Sequence, residues 1–200
     1  VKIIGDCFMN AFSDPKQAVK FGIEAQVALV NCKWPKNLLE HPLCKPHETD
    51  SGDMIWRGLR IRIGMHYGPA TATRNEVHGR YDYFGSTCNV ASRVEACLEK
   101  GGITGVTEAV LDAVGGADFL TTLGAVHMSL GTKTLKGVDH DVHVFAVFAV
   151  QLKERCVHTQ NPAKVAALEN AIIAFKVQTM PVATPPATPP ATPPAEIEAP

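Results

Sequence analysis

The last twenty residues hold eight of the chain's fourteen prolines, and Ala183-Thr-Pro-Pro repeats three times through Pro194 before the chain ends at Pro200. Such a segment buries too little apolar surface to offset the entropy of ordering, so 181–200 is expected to be a disordered tail of polyproline II character. Any folded core must therefore form upstream. The 200 residues are 46% hydrophobic and 20% charged, which is enough apolar material for one packed domain and too short a chain for two large ones. Pro186-Ala-Thr-Pro189 formally satisfies PxxP but lacks flanking basic residues, and a spacer is the expected role.

Charge and cysteine usage exclude several classes. Nineteen Lys and Arg against twenty Asp and Glu give a formal net charge of -1, which removes the electrostatic basis for duplex binding, and no nucleic acid is expected as a partner. Six cysteines (Cys7, Cys32, Cys44, Cys88, Cys97 and Cys156) form no CxxC pair and fit a reducing, intracellular setting. His41, Cys44 and His47, with Cys32 upstream, match no standard zinc spacing and read as a loop. The richest apolar run, 142–150, is about half a membrane span, so the chain as given is expected to be soluble. It opens directly in a strand pattern, as a piece of a longer protein would.

Patterning gives the organisation. Residues 1–12 read as two strands around a Gly5-Asp6 turn. Asp14-Pro15 then opens a helix with apolar positions at 18, 19, 23, 27 and 30. Residues 33–57 read as a long connection, and Leu59 to Met65 alternates as a strand with basic side chains on one face. Val90 to Lys100 has helical spacing. Strands are expected at Phe119 to Leu123, Val126 to Leu130 and Val142 to Val150, the last two joined through Leu135-Lys136-Gly137. Asn161-Pro162 starts an amphipathic helix over 161–178, whose stripe at 165, 168, 172 and 175 suits docking on the domain better than a membrane surface. Interleaved strands and helices predict an α+β fold, an α/β sandwich with helices over a sheet, spanning 1–151.

Three stretches carry candidate chemistry. Asp6 sits at the tip of a tight hairpin, where a carboxylate can face Mg²⁺. Asn89 and Arg93, four apart on a helix, project an amide and a guanidinium together, a pair suited to ribose and phosphoryl oxygens. Lys136, in a hairpin loop, can meet a terminal phosphate as a point charge. Each feature alone is more commonly structural.

In order and spacing, the blocks VKIIGDCFM (1–9), GLRIRIGMHYGPA (58–70), YDYFGSTCNVASRVEA (81–96), GGITGVTEAV (101–110) and LKG with VHVFAV (135–147) resemble the catalytic domain of class III nucleotidyl cyclases, most of all the receptor-type adenylyl cyclases of kinetoplastid protozoa. The resemblance implies a ferredoxin-like sheet with helices packed on it, lacking its first strand. It implies that Asp6 is a metal ligand, that Lys2 and Asp82 select adenine, that Asn89 orients the ribose, that Arg93 stabilises the pentavalent phosphorus, and that Lys136 and Arg62 contact phosphates. The hydrogen-bonding chemistry agrees, since Lys can donate to adenine N1 and a carboxylate can accept from the N6 amine.

The implied activity is conversion of ATP to 3′,5′-cyclic AMP with two Mg²⁺ or Mn²⁺ ions per site. The implied partner is a second copy or another cyclase domain: Asp6 and Arg62 come from one chain, and the other named residues come from its partner. A receptor form would stand on the cytoplasmic side of a membrane, attached through a segment not in this chain. Two positions depart from the family. Its first metal aspartate lies on a strand upstream of the hairpin, before Val1, and Ile3 stands where Thr is common. An alternative is therefore a catalytically incomplete, cyclase-like subunit that binds nucleotide or pairs with an active partner.

Overall fold

A computed structural model describes residues 2–76 and 79–156. The amphipathic segment 161–178 and the Pro-rich tail 181–200 lie outside the described residues.

Lys2–Ile4 (β1) and Cys7–Met9 (β2) form the expected antiparallel hairpin, with Lys2 opposite Met9. The hairpin is a separate two-stranded ribbon, not part of the central sheet. The helix α1, Pro15–Asn31, begins where the Asp-Pro dipeptide placed it: the Asp14 carboxylate accepts from the Lys16 amide at 2.9 Å, and Pro15 occupies the first turn, where its missing N–H costs nothing. Val19, Ile23, Gln26 and Val30 form its buried stripe.

The expected long connection contains a short helix, Lys36–Glu40 (α2), and a small ribbon of His47–Glu48 (β3) with Met54–Trp56 (β4). Their brevity defeats periodicity, but Ile55 and Trp56 are buried and fix the ribbon to the domain. The alternating stretch after it becomes a strand only at Arg62–Met65 (β5), because Gly102 N–H and the Gln26 side chain bind the Ile61 carbonyl and hold the preceding residues out of the ladder.

Thr71–Arg74 (β6) and Tyr81–Phe84 (β7) pair as a second exposed ribbon, Thr73 opposite Asp82. Ser86–Ala96 (α3) starts and stops about four residues earlier than its apolar spacing suggested, since Gly85 ends β7 and Ser86 begins the helix at once. Ile103–Thr107 (β8) is buried throughout and leads into Glu108–Val114 (α4), which ends at Gly115 in the left-handed region, as helices commonly do.

One expected strand is a helix. Gly116–Thr122 (α5) covers most of Phe119 to Leu123. The β-prone residues are overridden by position: Leu120 packs into the core, while the Thr121 and Thr122 hydroxyls donate back to the carbonyls of Ala117 and Phe119. The strands Ala125–Thr134 (β9) and Asp141–Ala149 (β10) pair along their length with a bulge at Val144/Phe145, as the two predicted strands around Lys136 require. A 3₁₀ segment, Val150–Cys156, closes the described chain.

The central sheet has the order β5-β8-β10-β9, with β5 and β8 parallel and the rest antiparallel. One face is covered by α3, through Val90 and Val94, and by Leu98 just after it, against Val144, Ala146 and Phe148. The other face is covered by α1, α4 and α5 around Val106, Val147 and Ala149. This is the α+β sandwich expected from the sequence. No described helix is long and apolar enough to cross a membrane.

Two details set the layer spacing. A Cβ on Gly64 of β5 would lie 2.2 Å from the Glu95 amide nitrogen and 2.5 Å from the Ala91 carbonyl oxygen, both backbone atoms of α3 that cannot rotate away. Buried Arg155 donates to the carbonyls of Ile55 and Gly102 and to the Gln26 side-chain oxygen at 2.7 to 3.0 Å. Burial, and then the nearby charge of Arg60, pull its pKa down to about 10, which leaves it protonated at neutral pH.

Gly64→Ala is expected to lower stability by about 3 kcal/mol or more, read as a urea midpoint shift at unchanged slope. Stability is also expected to fall as pH drops below neutrality. His66, which shares a 2.9 Å hydrogen bond with Thr107, and His127, beside Phe145, are both held below the usual histidine pKa of 6.5, chiefly by burial. The unfolded chain then binds more protons than the folded one, so the stability present above pH 6.5 is lost as pH falls through the folded values. Replacing both with Gln should flatten urea-midpoint profiles between about pH 7 and 5.

Candidate functional site

Asp6 owes its place to the hairpin turn. Gly5 has φ 63, in the left-handed region that an L side chain resists, which turns the chain tightly and leaves Asp6 exposed at the tip. The Cys7 thiol lies 3.7 Å from an Asp6 carboxylate oxygen, and the negative charge of Asp6 pushes the thiol pKa up. Glu95 adds to that rise and Arg62 opposes it, so the hairpin tip lies within electrostatic reach of both.

Arg62 and Glu95 are an ion pair. Arg62 Nε on β5 meets Glu95 Oε1 on α3 at 2.7 Å, and an Arg62 terminal nitrogen donates to the Leu98 carbonyl at 3.2 Å. A guanidinium has five N–H donors in a fixed fork, so these two bonds hold its orientation and leave three donors for another partner. Glu95 was missed in the sequence. The clue would have been its position two residues after Arg93, on a different side of the helix, but only the packing of α3 on β5 reveals its partner.

Asp82, Asn89 and Arg93 share one continuous unit. Asp82 is half-buried on β7 and accepts from the Asn75 side-chain amide at 3.4 Å. Gly85, at φ 119, makes the abrupt passage from β7 into α3. Asn89 and Arg93 then stand one turn apart on the exposed side of that helix, opposite the buried Val90 and Val94. Lys136 is exposed at the β9–β10 turn, where the Val138 amide donates to the Leu135 carbonyl at 3.0 Å and Gly137 takes φ 77. Buried Leu135 anchors that turn to the same core cluster that seats α3. Lys2 is on β1, in register with Met9.

The fold thus assembles two groups. Arg62 and Glu95 pair across the β5–α3 contact, and the charges of both reach Cys7, the neighbour of Asp6 on the hairpin. Asp82, Asn89 and Arg93 line up along β7 and α3. These predicted residues are not gathered in one enclosed cavity: neither of two grooves on the described surface, of about 590 and 270 Å³, is lined by any of them. Among the described residues, no three His, Cys, Asp or Glu side chains are grouped as a metal site. Asp6 still fits a divalent cation, because an accessible carboxylate on a tight turn is one of the one or two that Mg²⁺ takes beside water and phosphate oxygens.

Comparison with known proteins agrees with this architecture. An adenylate cyclase of Neurospora crassa is 28% identical over 84% of this chain, which spans 9% of that protein. Receptor-type adenylate cyclase B of Leishmania donovani is 32% identical over 75% of this chain, which spans 12% of it. A solved structure of a Trypanosoma brucei adenylate cyclase in its monomeric state superposes with a TM-score of 0.63 at 28% identity, over 75% of this chain and 69% of that one. The chain is therefore only a small part of the length of these curated relatives. Residues 1–146 match the family described as adenylate and guanylate cyclase catalytic domain, and with five ordered sequence blocks and the sandwich fold in agreement, the chain belongs to that family.

Proposed function

We propose that this chain is the catalytic portion of an adenylyl cyclase, which converts ATP to 3′,5′-cyclic AMP and pyrophosphate. The observation that carries the reading is the β7–α3 unit, on which Asp82, Asn89 and Arg93 stand in sequence on one support. In this reading Lys2 donates to adenine N1 and Asp82 accepts from the N6 amine. Guanine presents the opposite donor and acceptor at those places, so the pair favours ATP. Asn89 holds the ribose so that its 3′-oxygen lies in line with the α-phosphorus. That oxygen forms the new P–O bond as the bond to the β-phosphate oxygen breaks, and the 3′-hydroxyl proton is released. Arg93 meets the charge developing on the transferred phosphoryl group, while Lys136 and Arg62 hold the triphosphate.

Asp6 would hold Mg²⁺ or Mn²⁺, a two-ion arrangement needing a further carboxylate; bound metal lowers the pKa of the attacking hydroxyl and offsets triphosphate charge.

The exposure of Asp6, Asn89, Arg93 and Lys136 supports a site completed by a second cyclase domain. Charges stabilise a transition state most when water is excluded, and a lone chain leaves these groups wet. The β6–β7 ribbon, with Tyr81 and Phe84 half exposed beside Asn89's helix, supplies apolar surface suited to such a cover. In a symmetric dimer, Asp6 and Arg62 of one copy would face Lys2, Asp82, Asn89, Arg93 and Lys136 of the other, making two equivalent sites. In this reading, a receptor-type protein would carry the domain on the cytoplasmic side of a membrane.

In the full-length protein, Arg93→Ala should reduce cyclic AMP formation by roughly 10²–10³-fold with little change in thermal unfolding. Mixing Asp6→Asn and Arg93→Ala chains should restore up to about a quarter of wild-type activity, because half of the randomly paired dimers keep one intact site. No restoration would mean that the site is not shared. Lys2→Glu combined with Asp82→Cys should move the kcat/KM preference from ATP toward GTP; wild-type turnover of GTP alone would defeat the substrate assignment. Nucleotide binding without turnover in the wild type would instead support the incomplete-subunit reading.

A further inference from the structure

The two grooves away from these residues adjoin along α1 and are taken together as one trough. The larger, about 590 Å³, is floored by Ile23, Val27, Leu123 and Val150, and the smaller, about 270 Å³, continues it past Asn31 and Met54. Gln151 lines both, so the two grooves adjoin beside the C-terminal half of α1. The trough lining contains two acidic residues, Glu24 and Asp53, and no lysine or arginine.

We propose that this trough is the docking seat of the chain's own C-terminal segment, residues 162–177. The segment is tethered beside it. The trough wall includes Val150 and Gln151, the first residues of the 3₁₀ segment that ends the described chain at buried Cys156. Only residues 157–161 separate Cys156 from Pro162, a reach of about 20 Å at full extension. A tether that short gives an effective concentration on the order of millimolar, enough for a modest apolar contact to be occupied.

Chemistry matches as well as reach. Val165, Leu168, Ile172 and Phe175 fall at the spacing of one helical face, which is how a helix fills an apolar groove. Lys164 and Lys176, near the segment's two ends, complement a wall whose only charges are acidic. Docked there, the segment would cover the outer side of α1 and direct the Pro-rich residues after 181 away from the Asn89–Arg93 face of α3, which packs on the opposite side of the sheet.

The test is limited trypsin cleavage after Lys164 and Lys176 in the 200-residue chain, followed by mass spectrometry. Leu168→Asp removes the segment's apolar contact, and Ala28→Trp fills the trough from an exposed position on α1. Each should speed cleavage at both lysines by about tenfold, while amide exchange in β8 and β10 stays at the wild-type rate. Cleavage at the wild-type rate in Leu168→Asp overturns the proposal, even if Ala28→Trp fails to fold. Protection that disappears on dilution from about 100 to 1 μM also overturns it, since an occupant from a second copy depends on concentration and a tethered one does not.

Discussion

The contact between β5 and α3 is the constraint on which the rest of the architecture rests. Gly64 has no side chain, so the backbone of α3 at Ala91 and Glu95 comes down directly onto the strand. Gly105 on β8 extends the same close approach beneath Leu98 and Val94. Because interiors are close-packed, one methyl at Gly64 would lift the helix by more than the interface tolerates. That helix carries Asn89, Arg93 and Glu95, and the strand carries Arg62, so the layer spacing that glycine allows also brings Arg62 and Glu95 to 2.7 Å.

Arg155 supplies a second fastening. It joins α1, the β4 ribbon and the start of β8 through Gln26, Ile55 and Gly102, three segments far apart in sequence. A buried guanidinium is costly unless its donors are met, and here two carbonyls and an amide oxygen meet them while Trp56 lies 5.7 Å from its charge. The long 33–57 connection is thereby fastened to the sandwich by a residue about one hundred positions later, which no local pattern in that stretch could announce.

Legibility in the sequence followed the range of the forces involved. The Gly5-Asp6 hairpin, the Asp14-Pro15 helix start and the β9–β10 pair around Lys136 were readable because each is set by neighbours: a left-handed glycine, a capping carboxylate, a short alternating run on either side of a turn. Phe119 to Leu123 misled because its residues favour strands locally, yet Leu120 is drawn into the core and the threonines cap their own turn. The short ribbons β3–β4 and β6–β7 lack enough residues to display a period.

Sequence by itself determined the chemistry on offer: which residue types stand at 2, 6, 62, 82, 89, 93 and 136, in which order, and hence the family to which the five blocks belong. Tertiary structure decided how those groups divide. It set Arg62 beside Glu95, placed Asp82, Asn89 and Arg93 along a separate unit, and left grooves on the far side of the sheet. The physical reason is that a side chain's identity is local, whereas its distance from another depends on how closely two backbones can approach, and here a missing Cβ at Gly64 sets that distance.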